Sequence, residues 1–368
     1  MSLLQVKNLQ TSFVTQAGEV QAVRGVSFTL EPGDTLGIVG ESGSGKSVTN
    51  MSILGLNAPN AYVKQGEIFF EGKDLLQLPA RELRKIRGKE IAMIFQDPMS
   101  SLNPLMTIGK QVAEMITIHE KGLDAKGLRA RVIELLDMVR IPEAERRFDS
   151  YPHEFSGGMR QRVMIAMALA LRPKILIADE PTTALDVTVQ DQILRLLAEL
   201  QRKNQMAILF VTHDLSVVAQ LCNRVLVMYG GMVMEEAGIE ALFVRPQHPY
   251  TMGLFQSVPK AGSKKSDPLH SIPGSPPDML KPPVGCPFAP RCPYARNICA
   301  QYLPPLVPVQ EAHFSRCWLQ TETGLAQSGN PFAGHRPRVE VASESPTPAQ
   351  VPVESCKEEE GRNDGKNS

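Results

Sequence analysis

The octapeptide GESGSGKS at 40–47 constrains this chain more than any other stretch. It matches G-x-x-x-x-G-K-[ST] and follows the apolar run TLGIV, the strand-then-loop setting in which such glycine spacing reads as a phosphate cradle. Gly40, Gly43 and Gly45 let backbone N–H groups turn toward one anion, Lys46 supplies a cation for the β and γ phosphates, and Ser47 a hydroxyl for Mg²⁺. The loop predicts a nucleoside triphosphate site on an α/β sheet.

Other polar groups follow apolar strand-like runs. ILIADE at 175–180 ends in two carboxylates, which puts Asp179 near the metal and Glu180 where it can polarise an attacking water. Gln96 follows IAMIF, and His213 follows ILFVT. A lone Gln or His at a strand end is usually a solvated turn residue. Here each strand end points at one crevice, where phosphoryl transfer needs a water-positioning amide and a group on the γ-phosphate.

A second anion-holding turn, FSGGMRQR, lies at 155–162. Serine before paired glycines at a helix start leaves N–H groups pointing outward, with the positive end of the helix dipole behind them. Two such turns more than a hundred residues apart need a joint explanation.

Up to about residue 95 the pattern is strand-rich, with runs such as LLQVKNLQTSF and AVRGVSFTL. From about 100 to 172 it becomes helical, as in IGKQVAEMITI and LRARVIELLDMV. KILIAD and MAILFVTH then read as buried parallel strands flanking a long helix, and YGGMVMEEAG as a closing hairpin. Three parts are expected: 1–258; a Pro-rich extension at 259–321, too poor in core to stand alone; and a polar, disordered tail at 322–368. Lys+Arg and Asp+Glu both total 39, so no basic field argues for nucleic acid. The longest apolar run, VMIAMALAL, falls far below the ~18 residues that span a bilayer, and the chain is expected to be soluble and unexported.

Six cysteines are few for a disulfide scaffold of this length. Cys286, Cys292, Cys299 and Cys317 cluster in the extension; Cys222 and Cys356 stand apart. Their gaps are wider than those of zinc knuckles and match no ferredoxin pattern, so spacing leaves a metal site, an iron–sulfur cluster and reduced packing cysteines all open.

In this order the pieces resemble the nucleotide-binding subunit of ATP-binding-cassette transporters, from about residue 3 to 260. FSGGM resembles that family's LSGGQ signature, with Phe155 for Leu and Met159 for Gln, and ALD at 184–186 resembles its D-loop. The resemblance implies a P-loop NTPase cassette with a mixed sheet core, an antiparallel β subdomain and an inserted helical subdomain, plus a small irregular Cys-containing extension. It assigns ATP to Gly40, Glu41, Ser42, Gly43, Ser44, Gly45, Lys46, Ser47 and Val48, with Phe13 against adenine. Ser47, Gln96 and Asp179 take Mg²⁺; Glu180, His213, Gln96 and Lys46 are catalytic. It also explains the second turn: two subunits meet head to tail, and Ser156, Gly157, Gly158 and Asp186 close on the partner's nucleotide.

RPQHPYTMGLFQSVP at 245–259, GCPFAPRCPYARNIC and the later SRCW are similar to the extension of dipeptide and oligopeptide importer ATPases, a subfamily that includes nickel importers. That resemblance implies a [4Fe-4S] cluster on Cys286, Cys292, Cys299 and Cys317, structural in role because the ATP site is built from earlier residues. It also implies a peripheral position on the cytoplasmic face of the cytoplasmic membrane. The expected partners are a second ATP-binding subunit, usually a paralogue, two permeases and an extracytoplasmic peptide-binding protein. The alternatives are a nickel importer ATPase, a soluble cassette ATPase acting on ribosomes or DNA, and a silent regulatory partner. The single cassette and the presence of Lys46, Glu180 and His213 argue against the last two.

Overall fold

A computed structural model describes residues 2–97, 101–183, 185–257 and 271–321. The start of the extension, the tail with Cys356, and Ala184 of the ALD turn lie outside these residues.

Short apolar runs become the middle of an eight-stranded sheet. Its order is β11 (Val307–Gln310), β12 (His313–Ser315), β10 (Met232–Gly238), β9 (Arg224–Tyr229), β3 (Thr35–Val39), β8 (Ala207–Thr212), β7 (Ile175–Asp179) and β6 (Ile91–Ile94). Pairing is parallel from β9 through β6 and antiparallel from β9 outward to β11. β3, β7 and β8 are buried at every residue, which is why their sequences are continuously apolar instead of alternating. Strand periodicity divides their side chains between two cores. Leu36, Ile38, Ile175, Ile177 and Leu209 face an antiparallel sheet of order β2 (Gly18–Leu30), β1 (Leu4–Thr15), β4 (Ala61–Phe70) and β5 (Lys73–Asp74). Val39, Leu176, Ala178, Ile208 and Phe210 face the helices.

The helical stretch comprises Ile108–His119, Ala125–Met138, Ala144–Arg147 and Gly157–Leu169. Helix Val187–Asn204 buries Ile193, Leu194, Leu196, Leu197 and Leu200 on one stripe. Asp186 caps its start by accepting from the Val189 N–H at 2.9 Å; Arg202 and Lys203 sit in its last turn, where cations suit the dipole, and Gln205 ends it in the left-handed region. Among the described residues no helix is long and apolar enough to cross a membrane.

The extension is less irregular than its proline content suggests. β12 pairs with β10 and β11 with β12, so its end lengthens the main sheet. The join is polar and fully buried: the Glu235 carboxylate accepts from Gln247 N–H (2.6 Å) and His248 N–H (3.0 Å) and pairs with His313 Nε2 (2.7 Å).

Candidate functional site

Parallel pairing of β3, β8, β7 and β6 puts their carboxyl ends on one edge, and every predicted strand-end residue comes out there. Ser47 Oγ donates to the Asp179 carboxylate at 3.0 Å, across 132 residues of sequence. Gln96 Nε2 donates to Glu180 Oε2 at 2.9 Å, Thr183 Oγ1 donates to the same oxygen at 3.0 Å, and His213 Nδ1 lies 3.3 Å from Glu180 Oε1. Glu180 has φ 48°, a left-handed conformation unusual for a side chain of its size, and its N–H is held by the Val211 carbonyl at 2.9 Å. Backbone strain thus turns the carboxylate out of the strand line toward Gln96 and His213.

The loop itself fits a bound polyphosphate. A Cβ at Gly40 would lie 2.2 Å from the Met228 carbonyl, and one at Gly45 2.5 Å from the Ala22 carbonyl, so both glycines allow close backbone approach. A Cβ at Gly43 would meet nothing within 4 Å, which marks the open side. Lys46 Nζ donates to the Gly40 carbonyl (2.7 Å), the Glu41 carbonyl (3.0 Å) and Ser44 Oγ (3.4 Å), oxygens that a phosphate can replace. Burial pulls the Lys46 ammonium below its ordinary pKa, opposed by Glu180, Asp179 and Glu41. Burial pushes the Asp179 carboxyl up, opposed by Ser47 and Lys46. Hydroxyl, carboxylate and amide oxygens from Ser47, Asp179 and Gln96 form a hard donor set, the kind Mg²⁺ takes. Ser42 and Val48 complete the loop and the start of helix Lys46–Leu54. Phe13 lies half-buried in β1, opposite Val20 and Ala61.

The second turn is elsewhere. Ser156 caps its own helix, accepting from the Met159 N–H at 3.3 Å, while Gly157 and Gly158 pack against Leu185 and Val189. Phe155 is buried and anchors the turn, whereas Ser156 and Gly157 are exposed. Phe155 for Leu therefore keeps an apolar anchor, and Met159 packs against the same core.

The 40–47 loop is braced by a residue of the extension, which the sequence does not suggest. Arg291 forms a two-pronged ion pair with Glu41 of the phosphate loop, Nη1 to Oε2 at 2.6 Å and Nη2 to Oε1 at 3.1 Å. The Glu41 N–H donates to the Tyr250 hydroxyl at 2.8 Å. Both residues stand inside recognisable segments of the sequence, APRC and HPYT, but nothing in their spacing ties them to position 41.

The four extension cysteines are all free thiols and line one small cavity with His248, Phe288, Tyr294 and Trp318. Cys286 donates its N–H to the Cys299 carbonyl at 2.7 Å, an approach that Gly285 permits, since a Cβ there would lie 2.2 Å from that carbonyl. Burial pushes the thiol of Cys286 up to about 11 and that of Cys292 to about 12, and raises Cys317 further. Among the described residues no group of three or more His, Cys, Asp or Glu is arranged for a single metal ion, although the four thiols line one cavity. Cys222 is a buried packing residue beside Gly37.

Residues 23–183 match the ABC transporter family, and residues 234–299 match the C-terminal region of oligopeptide/dipeptide transporters. The oligopeptide transport ATP-binding protein OppD of Bacillus subtilis is 54% identical over 318 residues, 86% of this chain and 88% of that one. The dipeptide transport ATP-binding protein DppD of Lactococcus lactis is 54% identical over 317 residues, 86% of this chain and 90% of that protein. A dimeric ATP-binding cassette solved in a post-hydrolysis state with ADP and Pi shares 31% identity, with a TM-score of 0.59 over 64% of this chain and 98% of that one. With this fold, this edge of strand-end groups and these relatives, the chain belongs to the ABC transporter ATP-binding proteins, in the branch that carries the oligopeptide/dipeptide C-terminal region.

Proposed function

We propose that this chain is the ATP-hydrolysing subunit of a peptide importer. It would work at the cytoplasmic face of the membrane with a second ATP-binding subunit, two permeases and an extracytoplasmic peptide-binding protein. The observation that carries the reading is the convergence of Ser47 on Asp179 and of Gln96 and His213 on Glu180 at one sheet edge. The names of the relatives supply the cargo class.

The glycine loop binds the phosphates through backbone N–H groups, and Lys46 exchanges loop carbonyls for phosphate oxygens. Ser47, Asp179 and Gln96 would hold Mg²⁺, which supplies charge neutralisation at the β and γ phosphates. Glu180, oriented by Gln96 and Thr183, takes the proton from the attacking water, and His213 presents its other ring nitrogen to the γ-phosphate. Phe13 stacks on adenine. Ser156 and Gly157, exposed, and Gly158, half-buried, are capped only within their own subunit and complete the site of the partner subunit, with Asp186 at the same seam. ATP then acts as an interface ligand, and its hydrolysis shifts the open–closed equilibrium that drives the permeases.

Cys286, Cys292, Cys299 and Cys317 are the ligands of a [4Fe-4S] cluster in this reading. What supports this reading is that the four thiols line one cavity walled by Phe288, Trp318 and Leu319, and thiolates are the ligands such a cluster takes.

The test is uptake of a labelled dipeptide by cells whose own copy has been deleted. The wild-type chain restores uptake; Lys46→Ala and Glu180→Gln do not, while purified Glu180→Gln still binds ATP. Full uptake with Glu180→Gln would refute the reading.

A further inference from the structure

A phosphate loop exists to hold an anion, yet this one carries a carboxylate at Glu41. Left free, that charge would repel a triphosphate and compete with it for Lys46, whose ammonium already feels Glu41. The structure shows where the charge goes. The Arg291 side chain, 5% exposed, grips the Glu41 carboxylate with both terminal nitrogens. Its remaining N–H groups donate to the Tyr229 hydroxyl (3.0 Å), the Pro273 carbonyl (2.9 Å) and the Ile272 carbonyl (3.1 Å). A guanidinium has five N–H donors, and all five are used. Arg291 therefore has none left for a phosphate and is not itself an anion ligand; its geometry serves to hold Glu41.

We propose that Arg291 is a positioning residue for the phosphate loop: it holds the Glu41 carboxylate against the extension, away from the incoming triphosphate, so that the extension sets nucleotide affinity. The proposal rests on the reading of 40–47 as the triphosphate site. The path exists because β9 runs parallel to β3, so Tyr229 at its end emerges beside the phosphate loop. Tyr229, Tyr250 and Phe288 pack as one aromatic group, with ring centroids 4.6 to 5.4 Å apart, under the guanidinium. The Tyr250 hydroxyl restrains the Glu41 backbone while Arg291 restrains its side chain. Arg291 also ends the single turn Ala289–Arg291 between Cys286 and Cys292, so a rearrangement of the thiol cavity reaches the phosphate loop through one turn of chain.

The test is equilibrium binding of ATP to the full chain by calorimetry in EDTA, where no turnover occurs. Arg291→Met is expected to weaken binding at least about fivefold, the size of one charge contact at about 4 Å in water. Arg291→Met/Glu41→Gln is expected to recover most of that loss, because the liberated charge is gone. A residue that only supported the fold would give no such recovery. If Arg291→Met does not fold, Arg291→Gln with and without Glu41→Gln carries the same comparison, since glutamine also removes the charge while keeping N–H donors for the surrounding carbonyls. Loss without recovery overturns the proposal. So does unchanged binding in Arg291→Met while Lys46→Ala loses ATP, and in that case the nucleotide site stands. Normal binding by Lys46→Ala would instead remove the nucleotide site itself.

Discussion

Gly158→Ala tests whether the second turn depends on packing as well as on its exposed N–H groups. Gly158 lies in the first turn of helix Gly157–Leu169 with no positive φ, so its backbone accepts alanine. The obstacle is tertiary. The new Cβ would lie 2.6 Å from Val189 Cγ1, on the helix capped by Asp186. Restoring a normal carbon–carbon contact of about 3.5–4.0 Å needs a shift of about 1 Å. Overpacking of this kind costs roughly 1–3 kcal/mol, offset by up to about 1 kcal/mol from replacing glycine in a helix. With the full offset a net loss of about 0–2 kcal/mol follows from these two terms. Val189→Ala supplies the control. The Val189 Cβ would be 3.8 Å from the added methyl, an ordinary contact, so removing the branched carbons clears the clash. Alone, Val189→Ala should cost about 1 kcal/mol for its half-buried methyls. Combined, the two should be more stable than the sum of the singles by about 1 kcal/mol or more. The assay is urea denaturation followed by circular dichroism, with ATP turnover measured in parallel. Strict additivity of the two substitutions would refute the packing argument.

Three further outcomes are expected. Ser156→Arg should leave ATP affinity at the variant's own phosphate loop unchanged while turnover at the opposite site of a mixed dimer falls; normal turnover there would contradict a shared site. Glu235→Leu strands the buried N–H of His248, the half-buried N–H of Gln247 and the ring of His313, and should destabilise the β10–β12 join by about 2–5 kcal/mol, so limited proteolysis should release the extension before it cuts the cassette. Protein purified without oxygen should contain iron and acid-labile sulfide in amounts that Cys292→Ser reduces, and zinc without sulfide would remove the cluster reading.

Much of the site was legible in the chain because its parts are local. A glycine-rich loop after an apolar strand, and acids, an amide and an imidazole each closing a strand, carry their meaning within about eight residues. The left-handed backbone at Glu180, by contrast, shows only in the structure. The Cys-bearing extension was legible only as a spacing, and spacing could not say that Cys317 returns to the cavity of Cys286 through two strands that join the main sheet.

By itself, then, the sequence determined which strands are buried, which polar residues close them, and that two glycine-bearing turns open helices, since periodicity and loop chemistry act between near neighbours. Only the tertiary structure decided that Arg291 and Tyr250 hold Glu41 across 250 and 209 positions, and that Glu235 gathers His313, Gln247 and His248. Those contacts depend on parallel strand order and on where the extension docks, and a buried ion pair leaves no periodic trace in the chain that forms it.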